Sequence, residues 1–275
     1  MRIAFVDSGI GMLSTAAAVR AARPDADLVL SMDPDHMPWG ARAPEAIVER
    51  VLAGARAALG AGGRGEARTG TGAPSPTGAV APDAIVVPCN TASVHGLTSL
   101  REAFEPHTPV VGTVPPIKPA AARGGPVAVW STVATSRSRY QQSLIEEFGQ
   151  GVEVVPVPCP GLAEAIESAA PRAIDAAIAH AVARTPPQTT AVVLGCTHYD
   201  LVEQRISDAL GGRAEMFTAA GAVAAQTLRR LGIAAAPELP LTGGVAVLAS
   251  GRPTRLPAAA LAYRSGAALT RVPQT

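Results

Sequence analysis

The sequence predicts an α/β protein with mostly parallel sheets, built as two similar halves that share a cleft. Three observations carry this. Short β-branched runs alternate with longer Ala-, Glu- and Arg-bearing segments along the 275 residues, the pattern of strands joined by crossover helices. Two of those runs, AIVVPCN and AVVLGCT, end in a cysteine followed by polar residues suited to a helix start, a weak internal repeat that suggests equivalent strand ends in two halves. Apolar residues make up 48% of the chain, enough to bury one sizeable core or two smaller ones in contact.

In chain order, IAFVD is the opening strand and ends at Asp7; ADLVLSMD is the second. PEAIVERVLAGARAAL keeps Ile47, Val48, Val51, Leu52 and Leu59 to one side at helical spacing, which predicts a helix. Gly60 to Pro82 is rich in Gly, Ala, Pro and Thr with almost no large apolar residue, so residues 60–82 are expected to form a mobile surface insertion. The strands AIVVPCN, PVVGTV, PVAVWST, VEVVPV and AVVLGCT follow. GAVAAQTLRRLG then reads as a helix, GVAVLASG as a late strand, and LPAAALAYRSG as one closing amphipathic helix. A helix after each strand makes right-handed crossovers, and ligands of such sheets collect beyond the carboxyl ends of the strands. Chemistry is expected there.

Composition narrows the function. Lys plus Arg (23) nearly balances Asp plus Glu (22), a formal charge of +1, so the electrostatic footprint of a nucleic-acid or anionic-membrane binder is missing. The expected partner is a small molecule or a second copy of the chain. The first apolar run stops at Asp7, too short for a signal peptide, and no run approaches membrane-spanning length, which together predict a cytoplasmic protein. Three cysteines argue against a disulfide framework. A thiol-rich metal site drawing on Cys89, Cys196 and His198 lacks a compact CxxC or HxxxH pair to start it, so no metal is expected.

Cys89 and Cys196 as two facing thiols suit proton transfer from opposite sides of one carbon. The α-proton of an amino acid is very weakly acidic beside its carboxylate, so inversion needs one base close on each face. A thiol, with a pKa of about 8.5 that a helix N-terminus or an imidazolium lowers, serves both as base and as acid. Asp7 and Ser8 end the first strand in FVDSG and should reach the rim near Cys89, where an anionic Asp7 opposes the helix in setting the thiol's pKa. His198 lies two residues after Cys196 and titrates near neutrality. Asn90, Thr91, Thr132, Thr135 and Thr197, with backbone N–H groups at helix starts, offer donors for two carboxylates without an arginine clamp. Cys159, in VPVPCPG, lacks a polar cluster after it and reads as structural. His36, His95, His107 and His180 read as surface or helix-side residues.

VDSGIG, PWG, PCNTAS, VVGTVPPIKPA, STVAT and LGCTHY follow one another in the order seen in glutamate racemases, and the chain resembles that family of the aspartate/glutamate racemase superfamily over nearly its whole length. The resemblance implies cofactor-independent interconversion of L- and D-glutamate, with Cys89 and Cys196 as the two catalytic bases. It carries the assisting acid and serine onto Asp7 and Ser8, and the assisting histidine onto His198. The glutamate beyond the CP pair falls on Glu167, with Glu164 one helical turn away as the alternative. Backbone contacts at Trp39 and Gly40 are implied for the substrate, although Trp39 stands where the family has tyrosine. The two-lobe arrangement of the family implies residues 1–112 plus 218–275 as one lobe and 113–217 as the other. Supply of D-glutamate for peptidoglycan and a homodimer are implied in the same way. Aspartate racemases, which typically carry glutamate where His198 stands, and an inactive binding or regulatory relative are the alternatives.

Overall fold

The computed structural model describes residues 1–61, 81–149 and 151–270. Its strands are β1 (Arg2–Asp7), β2 (Asp27–Met32), β3 (Ala84–Val87), β4 (Val110–Gly112), β5 (Val127–Ser131), β6 (Val154–Pro158), β7 (Ala191–Leu194), β8 (Glu215–Phe217), β9 (Val245–Ala249) and β10 (Arg252–Thr254). They form two sheets, β10-β9-β2-β1-β3-β4 and β6-β5-β7-β8. Every pairing is parallel except β9 with β10, which are antiparallel. The chain is a two-lobed α/β protein.

The sequence explains which side chains meet. Alternate residues of a strand point to opposite faces, and β1 obeys this: Ile3 and Phe5 enter one core with Met12, Leu13, Leu28 and Leu30, whereas Ala4 and Val6 enter another with Ile47, Val51, Ile85 and Val87. Both faces of the strand are therefore covered, as its uninterrupted apolar run requires. The first of these cores does not stop at the first sheet. It continues through Ala128, Trp130, Val192 and Leu194 of the second sheet, so one continuous apolar layer joins the lobes. Val127, Val129, Ala191 and Val193 face the other way and pack under Ile117 and Leu144. Each fully buried aliphatic or aromatic side chain contributes about 1.5–3 kcal/mol to holding these layers together.

Three expectations need correction. The helix after β2 spans Pro44–Gly60 and so takes in Gly60, expected in the insertion; residues 62–80 of that insertion lie outside the described residues. LPAAALAYRSG does not form one helix. It makes two short ones, Ala258–Leu261 and Arg264–Leu269, because the chain folds back so tightly that a Cβ on Gly266 would stand 2.0 Å from the Ala260 carbonyl oxygen, and because Tyr263 between them donates its hydroxyl to Ile166 O at 2.6 Å. Strands β8 and β10 were not anticipated; both are three residues long and, unlike the equally short β4 within PVVGTV, lie in no β-branched run. Among the described residues no helix is long and apolar enough to cross a membrane.

Candidate active site

The carboxyl ends of strands from both sheets converge on one cavity of about 250 Å³. Asp7 and Ser8 reach it from the end of β1, and Cys89, Asn90 and Thr91 from the end of β3. Thr132 and Thr135 follow β5, and Cys196, Thr197 and His198 follow β7. The segment after β2, Met37 to Ala41, forms a further wall that includes Trp39 and Gly40. Thus the two thiols, one from each sheet, line the same space.

Cys89 is the residue preceding the helix Asn90–Phe104 and holds an extended backbone, φ −74° and ψ 121°. Its thiol faces Asp7. Burial pushes that thiol well above its ordinary range, the Asp7 charge pushes it further, and only the Ala92 backbone amide pulls it down. Asp7 is 1% exposed, and its own carboxyl is raised, by burial first, although His198 and the Ser8 backbone oppose this. Ser8 N–H donates to Asp7 Oδ1 at 2.6 Å. The proton at this end rests on sulfur.

The other end differs in kind. His198 Nε2 lies 2.8 Å from Glu167 Oε2, and His198 Nδ1 lies 3.9 Å from Cys196 Sγ. Burial disfavours the charged imidazole, but Cys196 and Glu167 together outweigh it and hold His198 well above its ordinary pKa. An imidazolium therefore bridges the second thiol and a carboxylate. Glu167 itself does not line the cavity; it stands behind His198 and borders a separate outer groove with Glu164, Ser168, Met37 and Pro38. Glu164, by contrast, lines both spaces. Of the two glutamates the sequence left open, Glu164 faces the cavity and Glu167 contacts His198 from behind it.

Bonds across the cleft tie the two ends together. Ile10 N–H donates to Glu167 Oε2 at 2.9 Å, Thr197 Oγ1 donates to Asp7 Oδ2 at 3.4 Å, and Asn90 Nδ2 donates to Gly195 O at 3.0 Å. This explains the glycines of DSGIG. A Cβ on Gly9 would lie 2.3 Å from Glu167 Oε2, and one on Gly11 would lie 2.5 Å from Thr197 Oγ1 and 2.7 Å from His198 Nδ1. Met12 beside them is fully buried in the joint core, so its bulk points away from the turn. Asn90 Oδ1 is buried without a partner among the described residues and belongs to a cavity-lining side chain, an acceptor available to an ammonium group. Thr132 Oγ1 accepts from the Thr135 backbone N–H at 3.3 Å and donates to Thr135 Oγ1 at 3.0 Å, capping the helix Val133–Ser136.

Some features of the site escaped the sequence reading. Trp39 lines the cavity, but its indole N–H donates to Asp33 at 3.1 Å and is unavailable to a ligand. His36, read as a surface residue, also binds Asp33, at 3.0 Å. Cys159 is buried, donates its thiol to Val157 O at 3.4 Å, and still lines the cavity; burial holds its pKa far above the ordinary thiol range. Among the described residues no group of histidines, cysteines and carboxylates could hold a metal ion.

Comparison with known proteins gives the lineage. The Asp/Glu/Hydantoin racemase profile matches residues 11–233. The chain is 32% identical to a glutamate racemase of Pseudomonas syringae pv. tomato over 82% of this chain and 76% of that one, and 35% identical to a glutamate racemase of Herpetosiphon aurantiacus over 84% and 85%. Among solved structures it is similar to Escherichia coli glutamate racemase in complex with L-glutamate and the activator UDP-MurNAc-Ala, with a TM-score of 0.72 and 27% identity over 91% of this chain and 90% of that one. A glutamate racemase from Thermus thermophilus gives a TM-score of 0.65 at 26% identity, covering 100% and 94%. The profile spans most of the sequence and both cysteine motifs, and the chain belongs to the Asp/Glu/Hydantoin racemase family.

Proposed function

We propose that the protein is a glutamate racemase that inverts the α-carbon by proton transfer between two thiols, without a cofactor. The observation that carries this reading is the pair of cysteines, Cys89 and Cys196, at strand ends of different sheets on one small cavity. One thiolate removes the α-proton, breaking C–H and forming S–H, and leaves a carbanion conjugated with the α-carboxylate. The opposite thiol then gives its proton to the other face, breaking S–H and forming the new C–H bond. One thiol and one thiolate exchange roles on each turnover.

The neighbours support that cycle. Asp7 orients the proton that Cys89 carries on sulfur. His198, held by Glu167, places a cation beside Cys196, so that negative charge forming on that sulfur is not left bare and buried. Asn90 Oδ1 accepts from the α-ammonium. Thr91 and Thr135, with the first amides of the helix Asn90–Phe104, supply donors for the two carboxylates, while Ser8 and Thr197 spend their hydroxyl protons on Asp7 and Thr132 spends its own on Thr135. Trp39 and Gly40 close the wall beside them. The reading includes the division into two catalytic lobes, 1–112 with 218–275 and 113–217, and a cytoplasmic enzyme that supplies D-glutamate to peptidoglycan synthesis.

Incubation with L- and D-glutamate in heavy water, followed by NMR of the α-proton and by circular dichroism, tests this. Exchange and inversion from both enantiomers are expected, with aspartate much slower. Binding without exchange would favour an inactive relative, and faster turnover of aspartate would overturn the substrate assignment.

A further inference from the structure

The wall formed by residues 37–41 hangs from one carboxylate outside the cavity. Asp33 is 5% exposed and collects donors from four directions. His36 and Trp39 bind it from its own loop, at 3.0 and 3.1 Å. Arg50, from the helix Pro44–Gly60, makes a forked contact at 2.9 and 3.2 Å. Ser250 donates its hydroxyl at 2.7 Å from the turn between β9 and β10. Burial alone would raise this carboxyl, but the bonds from Ser250, Arg50, His36 and Trp39 reverse that and hold it below the usual carboxylate range.

A second observation points the same way. Ser250 and Gly251 link β9 to β10 in a two-residue turn with φ of +46° and +81°. Such turns need left-handed residues and favour Asn or Gly at the first position. A serine held there is strained, and backbone strain that persists is maintained by its surroundings. Here the surroundings are Asp33 Oδ1 and the Asp35 backbone N–H, which donates to Ser250 Oγ at 3.3 Å. Glycine would suit the turn but would lose the hydroxyl.

We propose that Asp33 is a positioning residue for the cavity, which anchors the Met37–Ala41 wall to the helix carrying Arg50 and to the C-terminal turn at Ser250, and thereby sets substrate affinity. It touches no reacting atom. The proposal rests on the racemase reading for its kinetic test, so a second readout is independent of turnover.

Asp33→Asn keeps an acceptor but loses the charge that binds Arg50; it is expected to raise KM for glutamate tenfold or more with kcat within threefold. Ser250→Gly should raise KM about threefold without lowering Tm. Ser250→Asn should restore KM, because asparagine adopts the left-handed turn and its amide donates to Asp33. Limited trypsin digestion read by mass spectrometry reports the anchor directly: cleavage after Arg42, which is exposed, should be slow in the wild type and accelerated in Asp33→Asn and Ser250→Gly. Unchanged KM and unchanged Arg42 cleavage in both folded variants would overturn the proposal. So would a fall in Tm with KM unmoved, the mark of a purely structural role. A wild type inactive on both glutamate enantiomers would defeat the racemase reading, while Arg42 cleavage would still decide the anchor.

Discussion

The two thiol ends of the cavity are built from different chemistry. At the Cys89 end a buried thiol faces a buried carboxylate, and like-sign repulsion with burial keeps the proton on sulfur. At the Cys196 end an imidazolium sits between sulfur and Glu167, whose side chain is 22% exposed on the outer groove. A symmetric reaction is thus served by an asymmetric pair. Under the proposed two-thiol inversion, the two faces of the substrate would be served by thiols whose proton affinities are set in different ways, one by burial beside a carboxylate and the other beside an imidazolium.

The largest effects should come from removing either sulfur. Cys89→Ser and Cys196→Ser should each lower racemisation by about 10³-fold or more, since a positioned acid or base contributes roughly 10²–10⁴-fold; circular dichroism at fixed glutamate concentration checks it. Substantial inversion by either variant would break the comparison at its root. His198→Asn and Glu167→Gln come next, at about 10²-fold in kcat, with unequal losses in the L-to-D and D-to-L directions because both act through one thiol. Equal losses would argue that the ends are not distinct.

Gly11→Ala should cost about 1–3 kcal/mol of stability in urea denaturation, the usual range for overpacking, because the added methyl meets Thr197 and His198 at 2.5 and 2.7 Å. A pH series sharpens the electrostatic part. The folded-state pKa of His198 lies well above its ordinary value of about 6.5, so its ion pair contributes fully below that pH and its contribution is lost as pH rises through the raised value. His198→Asn should therefore flatten the alkaline decline of Tm. The smallest effect is expected for Glu164→Gln, with KM changed less than threefold, because that carboxylate is exposed and makes no ion pair among the described residues.

Much of this was legible in the residues themselves. The β-branched runs announced the parallel strands, and the Cys89 and Cys196 segments announced that two strand ends share a cavity. What stayed hidden depends on contacts between distant segments. Nothing local to Ser250 reveals that it binds Asp33, 217 residues away. Nor does the CPGLAEAIES segment reveal that Glu167 is held by the amide of Ile10 while Glu164 turns toward the cavity. The short strands β8 and β10 were missed because, unlike the equally short β4, neither lies in a β-branched run, and the broken C-terminal helix because its stop is set by a close approach between two turns of backbone.

The bond from Ile10 N–H to Glu167 has a consequence for timing. Its two atoms belong to opposite lobes, and Thr197 and Asp7 span the same gap. Any parting of the lobes wide enough to admit or release an amino acid pulls these pairs asunder. Under the proposed function, such a parting would set admission of the ligand and movement of its proton at separate moments of the cycle.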